Sequence, residues 1–592
     1  MKELMLGNAA VARGLFEAGC RFVSSYPGTP STEITECAAD AYRARGQRRR
    51  ECAADYEEVY AEWAPNEKVA LEAALGACFA GARSFAAMKH VGLNVAADPL
   101  FTASYTGVNG GLVVAVADDP AMHSSQNEQD SRHYARAAKL PMLEPSDSSE
   151  CLEFTKLAFE LSERFDTPVV LRTATRIAHA QSLVELSPRA RIELKPYGKN
   201  PEKYVMSPAN AVRSHAEVEK RVAALREYAE SSELNREELR GREVGFVTSG
   251  ACYQYVREAF PDASVFKLGI VHPLPIERIR AFSEKVGRLI VVEELDPFLE
   301  TELRAARVPV AGGKDLFGLL GELSPVGIRK ALGAPVPETK AFGEPIPPRP
   351  PVMCAGCPHR GLFRVLSKLK LTVLGDIGCY TLGSAAPLNA IDAVVCMGAS
   401  VSMLHGFTKV RPDMAKRTVG VIGDSTFIHS GITGLINIAY NRGVSTLLVL
   451  DNAITGMTGH QQNPTTGLTL KNEPSPATSI EKICEASGVQ SVRVVDPHDM
   501  ARMERVLKEE LEKDEPSVIV SRRPCALLKC VPHRSPVRID PEKCRGCASC
   551  MKIGCPAIRF ADKKAIVDEA QCVGCGLCIQ TCGFQAIGEV DA

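Results

Sequence analysis

The C-terminal end of the chain carries eight cysteines in two short runs, and this pattern restricts the fold more than any other feature. The first run reads CRGCASCMKIGCP and the second reads CVGCGLCIQTCG. The cysteines are Cys544, Cys547, Cys550 and Cys555 in the first run and Cys572, Cys575, Cys578 and Cys582 in the second. In a C-x2-C-x2-C run three thiolates wrap around one [4Fe–4S] cluster, while the distant fourth cysteine ligates the other cluster. The pattern therefore predicts a small α+β module, residues 535–592, that binds two [4Fe–4S] clusters.

The crossed ligand arrangement assigns each cysteine to one of the two clusters. One cluster takes Cys544, Cys547, Cys550 and Cys582, and the other takes Cys572, Cys575, Cys578 and Cys555. Two details depart from the bacterial pattern: four residues rather than three separate Cys550 from Cys555, and Gly583 replaces a second proline. Neither removes a ligand, although we expect the longer loop to alter a cluster potential. A pair of structural zinc sites is the alternative, but zinc sites typically use two C-x2-C pairs rather than triplets.

Composition restricts the class of protein and its compartment. With 592 residues the chain is too long for one core, and its 45% hydrophobic and 24% charged residues are typical of globular domains. The net charge of −1 gives no general attraction to nucleic acid or membranes. No apolar run has the length of a membrane helix, and the N-terminal stretch reads as an amphipathic first helix rather than a signal peptide. We therefore expect a cytoplasmic protein, in which 21 cysteines indicate metal binding.

Alternating helical and strand-like segments before the tail predict an α/β fold of several doubly wound domains. A polar stretch reads as a helical linker, and FGEPIPPRPPVM reads as an extended connector. The predicted order is an α/β domain at 1–185, the linker at 186–239, an α/β domain at 240–340, the connector at 341–353, a third α/β domain at 354–530 and the cysteine module.

Two successive strands of the third α/β domain each end in a side chain that can bind a hard cation. The strand GVIG stops at Asp424, a helix follows to about Asn441, and the next strand stops at Asp451 and Asn452. In an open parallel sheet both strand ends face the same crevice, where ligands usually bind. Mg²⁺ takes oxygen ligands and is often completed by phosphate and water, so the pattern fits a magnesium and phosphate site.

Gly423, Asp424 and Ser425, followed by Asn452, resemble the diphosphate-binding motif of thiamine-diphosphate enzymes. The resemblance implies that the side chains of Asp424 and Asn452 bind Mg²⁺ together with the backbone carbonyl of Ile454. The metal then clamps the diphosphate of the cofactor.

Such enzymes also need a glutamate that hydrogen-bonds the aminopyrimidine ring of the cofactor, which supplies the remaining chemistry. PNEKVALEAALGACFAGAR resembles the glutamate-led helix of a pyrimidine-binding domain, and Glu67 fits that glutamate. Glu57 and Glu58 are the alternative candidates. Glu67 also fits an ordinary first-turn glutamate that the helix dipole favours.

Several longer stretches resemble one family, the thiamine-diphosphate-dependent 2-oxoacid:ferredoxin oxidoreductases, and within it the large subunits that act on indolepyruvate. They are SSYPGTPSTEI, MKHVGLNVAADPL, DDPAMHSSQNEQDSR, VLRTATRIAH, CAGCPHRG, GDIGCYTLG, CMGASVSMLHGF and DNAITGMTGHQ, in one order along the chain. The resemblance implies oxidative decarboxylation of an aryl 2-oxoacid with coenzyme A to acyl-CoA and CO2, with electrons passed through iron–sulfur clusters to ferredoxin. It also implies a smaller beta subunit and a pyrimidine, a transketolase C-terminal-like and a diphosphate domain for the three α/β domains.

YPGTP is similar to the substrate-side loop of that family, which implies that Thr29 lies near the thiazolium ring and the substrate carboxylate. A proline-fixed turn with a capping threonine is the alternative. His90 and the loop at 123–130 are candidates for the same pocket or parts of a polar surface.

A third [4Fe–4S] cluster is a further expectation from the family. CAGCP and DIGC resemble the segments that hold a cluster beside the cofactor in pyruvate:ferredoxin oxidoreductases, which implies Cys354, Cys357 and Cys379 as ligands. Cys525 matches the fourth position best, with Cys530 as the alternative. A single C-x2-C is a weak signal, since isolated cysteines are often small buried hydrophobes.

Three other functions fit parts of this pattern. The same chemistry on another 2-oxoacid, such as phenylglyoxylate or a branched-chain acid, requires only a different pocket shape. A non-oxidative decarboxylase with structural clusters predicts CO2 release without reduction of an acceptor. An electron-transfer subunit predicts iron and sulfide without thiamine diphosphate.

Overall fold

The structure is a computed structural model that describes residues 2–39, 59–338 and 342–589. The chain divides into two compact units, one of residues 1–342 with 470–472 and one of residues 343–469 with 473–592. In the described ranges, no helix combines the length and the apolar character that crossing a membrane requires.

The first unit contains a seven-stranded sheet. In spatial order its strands are Ile270–His272, Met142–Leu143, Val169–Ala174, Leu112–Asp118, Ser84–Lys89, Phe22–Ser25 and Tyr60–Trp63. Neighbours are parallel except at the edge formed by Ile270–His272. The strand Leu112–Asp118 is buried at every position, as expected where helices cover both faces of a sheet. Within residues 2–39 and 59–185 the helices are Gly7–Glu17, Thr32–Ala38, Glu67–Phe79, His90–Val95, Ala97–Thr106, Arg132–Ala138, Ser148–Phe165 and Thr175–His179, with a 3-10 turn at Pro120–Met122.

The N-terminal expectation was wrong at its start. Residues Lys2–Leu6 form a strand that pairs antiparallel with Gln181–Glu185, and the first helix begins only at Gly7. A Cβ on Gly7 would lie 2.0 Å from the carbonyl oxygen of Ile177, so the chain passes this point only as glycine. Pairing with a distant strand overrides the local helical pattern here.

A second sheet of the first unit has five strands. Their order is Val310–Gly312, Arg288–Val292, Val244–Ser249, Ser264–Leu268 and Arg236–Glu238, parallel except for the last pair. The associated helices are Pro201–Tyr204, Pro208–Ser231, Gly250–Ala259, Ile276–Ser283, Phe298–Ala305, Lys314–Phe317 and Pro325–Ala331.

The second unit contains a fully parallel sheet and the cysteine module. The strand order is Thr372–Leu374, Thr418–Gly423, Thr446–Asp451, Ser517–Arg522 and Ser491–Val495. Its helices are His359–Leu369, Ala399–Val410, Asp424–Thr426, Ile432–Tyr440, Ile480–Ala486 and Met500–Leu511, with a π-helical turn at Phe427–Gly431 and 3-10 turns at Cys379–Ser384 and Pro412–Arg417. These sheets confirm the predicted α/β class.

The cysteine module is a small α+β unit, as predicted. It has the antiparallel pairs Arg538–Ile539 with Ile587–Gly588 and Ile558–Ala561 with Lys564–Val567, a 3-10 turn at Ser549–Ile553 and the helix Leu577–Thr581. One hydrophobic core includes Leu362 and Phe363 of the helix His359–Leu369 and Ile553 and Leu577 of the module. The module is therefore packed onto the α/β domain that precedes it.

Candidate functional site

Asp424 and Asn452 lie at the carboxyl ends of two adjacent parallel strands. Gly423 pairs with Leu450, so the two side chains follow their strands at the same edge of the sheet. Both residues are buried. The backbone N–H of Cys525 donates to the Asn452 carbonyl oxygen at 2.9 Å. The sheet therefore places Asp424 and Asn452 close to each other, as expected for residues that follow adjacent parallel strands.

The surroundings of Asp424 suit a divalent cation. Its Oδ1 accepts from the Ser425 N–H at 2.8 Å, while Oδ2 has only long contacts in the described chain, 3.5 Å to Asn463 Nδ2 and 3.4 Å to Thr465 Oγ1. Burial, reinforced by the charge of Asp451, raises the pKa of Asp424 to about 7. A divalent cation would offset this repulsion and takes the oxygen donors that are present, so the residues fit Mg²⁺.

The loops that follow the two strands contact each other closely. A Cβ on Gly423 would lie 2.6 Å from Tyr380 Cε1, so this turn requires glycine. Thr455 Oγ1 donates to Ser425 Oγ at 3.0 Å, which links the loop after Asn452 to the start of the helix. Ile454, whose carbonyl the motif assigns to the metal, is buried in that loop.

Four cysteine thiols gather beside this edge, and we call Cys354, Cys357, Cys379 and Cys525 the CAGC thiol group. Burial and the thiols of Cys525 and Cys354 raise the pKa of Cys379 to about 11. Burial, with Cys379 and Cys354 nearby, raises the pKa of Cys357 to about 12. Cys530, the alternative fourth ligand, is exposed.

The group also lies next to Asn452, at the same edge of the sheet. A Cβ on Gly456 would be 3.3 Å from Cys379 Sγ and 3.9 Å from Asn452 Nδ2. A group of four thiols matches the donor set of an iron–sulfur cluster.

The eight tail cysteines line two cavities in the combinations that the crossed pattern predicts. The inner cavity is lined by Cys555, Cys572, Cys575 and Cys578 and by Ala355, Gly356 and Arg360 of the CAGCPHRG stretch. The outer cavity is lined by Cys544, Cys547, Cys550 and Cys582 and by residues of the module alone. Two cavities that are each lined by four cysteines fit two iron–sulfur clusters.

Glu67 is buried at the start of the helix Glu67–Phe79 in the first unit. The side chain of Asn66 caps this helix by accepting from the Val69 N–H at 2.9 Å. A Cβ on Gly92 would lie 2.6 Å from Glu67 Oε1, so glycine at that position leaves room for the carboxylate. A buried, positioned carboxylate fits the role of the cofactor's hydrogen-bond partner. Glu57 and Glu58 lie outside the described residues.

The YPGTP loop lies beside the end of the strand Ser84–Lys89. Ser124 Oγ donates to the Thr29 carbonyl oxygen at 3.3 Å, and Lys89 Nζ donates to the Ser124 carbonyl oxygen at 2.6 Å. Burial lowers the pKa of Lys89 to about 8, against the opposing charge of Asp119. Thr29 is thus brought together with a buried lysine and with the loop at 123–130.

His90 follows Lys89 and is almost fully buried. Its Nε2 lies 3.2 Å from the Asn127 carbonyl oxygen, whereas its Nδ1 has no hydrogen-bond partner in the described chain. Burial lowers the pKa of His90. His90 is therefore in contact with the loop at 123–130.

Sequence reasoning did not single out Lys89, Asn463, Thr465 or Arg360. Lys89 had a readable signal, because it ends a parallel strand just as Asp451 does. Asn463 and Thr465 lie in an irregular loop and reach Asp424 only through tertiary folding.

Three family models match the chain. The model described as pyruvate flavodoxin/ferredoxin oxidoreductase, thiamine diP-bdg, matches residues 13–242. The thiamine pyrophosphate enzyme, C-terminal TPP binding domain, matches residues 376–521, and the 4Fe-4S dicluster domain matches residues 536–583.

Curated relatives match over nearly the whole chain and carry the name indolepyruvate oxidoreductase subunit IorA. The protein of Archaeoglobus fulgidus is 41% identical, covering 99% of this chain and 97% of the relative. That of Methanothermobacter thermautotrophicus is 40% identical, with the same coverage of 99% and 97%. That of Pyrococcus horikoshii is 39% identical, covering 100% and 97%.

Proposed function

The chain belongs to the IorA family of thiamine-diphosphate-dependent 2-oxoacid:ferredoxin oxidoreductases, and on that premise we propose that it oxidatively decarboxylates aryl 2-oxoacids such as indolepyruvate. Coenzyme A takes the acyl group, CO2 leaves, and the electrons pass through iron–sulfur clusters to ferredoxin. The observation that supports the proposal is that Asn452, at the strand edge shared with Asp424, lies close to Cys379 of the CAGC thiol group. The same unit contains the two tail cavities, each lined by four cysteines.

The second unit carries the residues that would hold the diphosphate of the cofactor, and the first unit carries the candidate glutamate. Asp424, Asn452 and the Ile454 carbonyl would hold Mg²⁺ and the diphosphate, with Gly423 and Ser425 shaping the turn. Glu67 would hydrogen-bond the aminopyrimidine and move the proton that activates the cofactor. Thiamine diphosphate, when bound, would supply a nucleophilic carbon and an electron sink for the decarboxylation.

The substrate carboxylate would be bound by Lys89, with Thr29 beside it. Lys89 Nζ is a buried cation at the carboxyl end of a parallel strand, where open α/β sheets bind ligands. Its lowered pKa reflects burial, and an incoming carboxylate would favour the charged form.

The electrons would leave through three groups of four cysteines. The CAGC thiol group would hold the cluster beside the cofactor, and the inner and outer cavities would hold the two tail clusters. A smaller beta subunit would complete the enzyme, consistent with the name of the relatives as a subunit, and ferredoxin would accept the electrons.

The test is an anaerobic assay of the chain with its beta subunit. Indolepyruvate, coenzyme A and Mg-thiamine diphosphate are supplied, and reduction of ferredoxin or a viologen dye and release of CO2 are followed. We expect reduction that requires thiamine diphosphate and falls at least about 100-fold in Glu67→Gln, as loss of an acid–base group does. Glu72→Gln, on the exposed side of the same helix, is the control and should keep full activity.

Other outcomes would redirect the proposal. CO2 release without reduction of an acceptor would indicate a non-oxidative decarboxylase. Faster turnover of phenylglyoxylate or a branched-chain 2-oxoacid would reassign the substrate while leaving the chemistry unchanged. Iron and sulfide without bound thiamine diphosphate would indicate an electron-transfer subunit.

A further inference from the structure

Arg360 is a buried arginine between two loops that carry cysteines. It is 2% exposed and lies in the first turn of the helix His359–Leu369. Its Nε donates to the Cys354 carbonyl oxygen at 3.0 Å, and Nη2 donates to the Met353 carbonyl oxygen. On the other side, Nη1 donates to the carbonyl oxygens of Ile553, at 3.1 Å, and Gly554. The guanidinium therefore joins the CAGC loop to the loop before Cys555.

The charge of Arg360 has no carboxylate partner. All of its hydrogen bonds go to backbone carbonyls, and within residues 2–39, 59–338 and 342–589 it makes no ion pair. A buried cation without a counter-charge is costly even after its surroundings relax. A negative group near Arg360 would offset that cost.

Thiols of two different cysteine sets lie close enough to Arg360 to influence its charge. Burial lowers its pKa, and the opposing influences come from Cys555 and Cys575 of the inner cavity and from Cys354 and Cys357 of the CAGC thiol group. Arg360 also lines the inner cavity itself. Four thiolates on a [4Fe–4S] core leave a net negative charge that increases on reduction.

The extra residue in the Cys550–Cys555 loop now has a structural role. Four residues fill this loop, and the last two, Ile553 and Gly554, both direct their carbonyls at Arg360. Gly554 adopts φ +69°, which glycine accommodates without strain. A Cβ there would lie 2.9 Å from Pro387 Cδ. The lengthened loop thus supplies one half of the arginine site.

We propose that Arg360 is a positioning residue and the shared counter-ion of two iron–sulfur clusters, one held by the CAGC thiol group and one in the inner cavity. The inference rests on the proposed function, in which both cysteine sets hold clusters. A fixed positive charge favours the more negative, reduced form of a cluster, so Arg360 raises both reduction potentials. Its planar fork donates to both loops at once, and a lysine at this position would keep the positive charge with fewer hydrogen bonds.

The test compares reduction potentials in the complete enzyme, prepared anaerobically with its beta subunit. EPR-monitored redox titration and iron and sulfide content are measured for the wild type, Arg360→Gln and Arg360→Lys. Lys368→Gln, which removes a positive charge from the exposed side of the same helix, is the matched control. In Arg360→Gln we expect the reduction equilibria of both clusters to fall about tenfold, about 59 mV for a one-electron couple. Arg360→Lys and Lys368→Gln should keep potentials close to the wild type.

Each result decides the inference. Unchanged potentials in Arg360→Gln with full iron content would overturn it. If Arg360→Gln loses iron, retained iron and potentials in Arg360→Lys would support the counter-ion role, whereas iron loss in both variants would reduce Arg360 to a structural clamp and contradict that role. Wild-type iron for two clusters rather than three would contradict the third cluster of the proposed function, while the potential of the inner cluster would still decide the role of Arg360.

Discussion

The inner and outer cavities of the cysteine module share one spacing of cysteines but differ in their surroundings. The inner cavity is closed on one side by Ala355, Gly356 and Arg360 of the preceding domain. The outer cavity is lined by the module alone and includes Cys547, Phe560 and Phe584, which are exposed. Spacing selects the kind of cluster, and the surroundings set its potential and its access to solvent.

The thiols of the two cavities also differ in acidity. Burial raises the pKa of Cys578 in the inner cavity to about 12 and raises that of Cys555. In the outer cavity, hydrogen bonds from the backbone at Ala565 lower the pKa of Cys544, and Ser549 lowers that of Cys547, whereas burial raises the pKa of Cys550. Under the proposed function, the inner site, which the preceding domain covers on one side, would act as a relay, and the outer site, with the exposed Cys547, would be the contact point for a carrier.

The largest difference should come from removing one ligand at each cavity. We expect both Cys575→Ala and Cys547→Ala to lower ferredoxin reduction to background, because the route is broken in each. Viologen reduction should survive only in Cys547→Ala, since the small dye can still take electrons from the inner cluster. Parallel assays with the two acceptors check this. Equal dye rates in the two variants would remove the distinction between relay and exit.

The clusters of the two cavities should differ severalfold in the rate at which air or a chelator removes them. The exposed Cys547 gives oxygen and chelators access to the outer cluster, while the preceding domain shields the inner one. EPR spectra of dithionite-reduced samples, taken at intervals, should lose the outer signal first. In Cys547→Ala the early phase should be missing, which identifies it. Earlier loss of the inner EPR signal would contradict the inference that the preceding domain shields the inner cluster.

Rebinding of iron and sulfide to the empty sites should depend on pH. The inner site, which loses its cluster more slowly, should also refill less readily. Cluster ligands must be deprotonated, so thiols with raised pKa values need a higher pH to bind iron. The pKa of Cys578 is raised to about 12, so the inner site should refill poorly when the pH falls. The outer site, where the pKa of Cys544 is lowered, should refill at a lower pH. Iron and sulfide are returned to chelator-stripped protein at several pH values, and EPR follows each cluster. A common pH midpoint would show that the metal overrides the difference in thiol acidity.

The features that the sequence predicts correctly are those that depend on local residue spacing or on the position of a residue at the end of a strand. The cysteine sets of the two cavities follow from the repeat, and the meeting of Asp424 with Asn452 follows from two parallel strands. The strand at Lys2–Leu6 and the loops that reach Arg360 depend on pairing between distant segments, for which local patterns carry no signal. Lys89 lies between these cases, because its strand-end position was readable but its burial was not.

The smallest effect should come from a change at the contact between Gly356 of the preceding domain and Val573 of the cysteine module, both of which line the inner cavity. Gly356 has φ +70°, and a Cβ there would lie 2.3 Å from Val573 Cγ2. Gly356→Ala should thus add backbone strain of about 1–2 kcal/mol and a clash with Val573. We expect a lower midpoint for loss of iron–sulfur absorbance on anaerobic heating.

Val573→Ala in the same chain should restore part of that loss, because it removes the clash and leaves only the backbone strain. Arg545 occupies the equivalent position of the outer run, so Arg545→Ala is the matched control and should combine additively with Gly356→Ala. Equal coupling of Gly356 to Val573 and to Arg545 would mean that the two cavities respond as one cooperative module. The inner and outer cavities would then differ in the chemistry of their thiols and not in their packing.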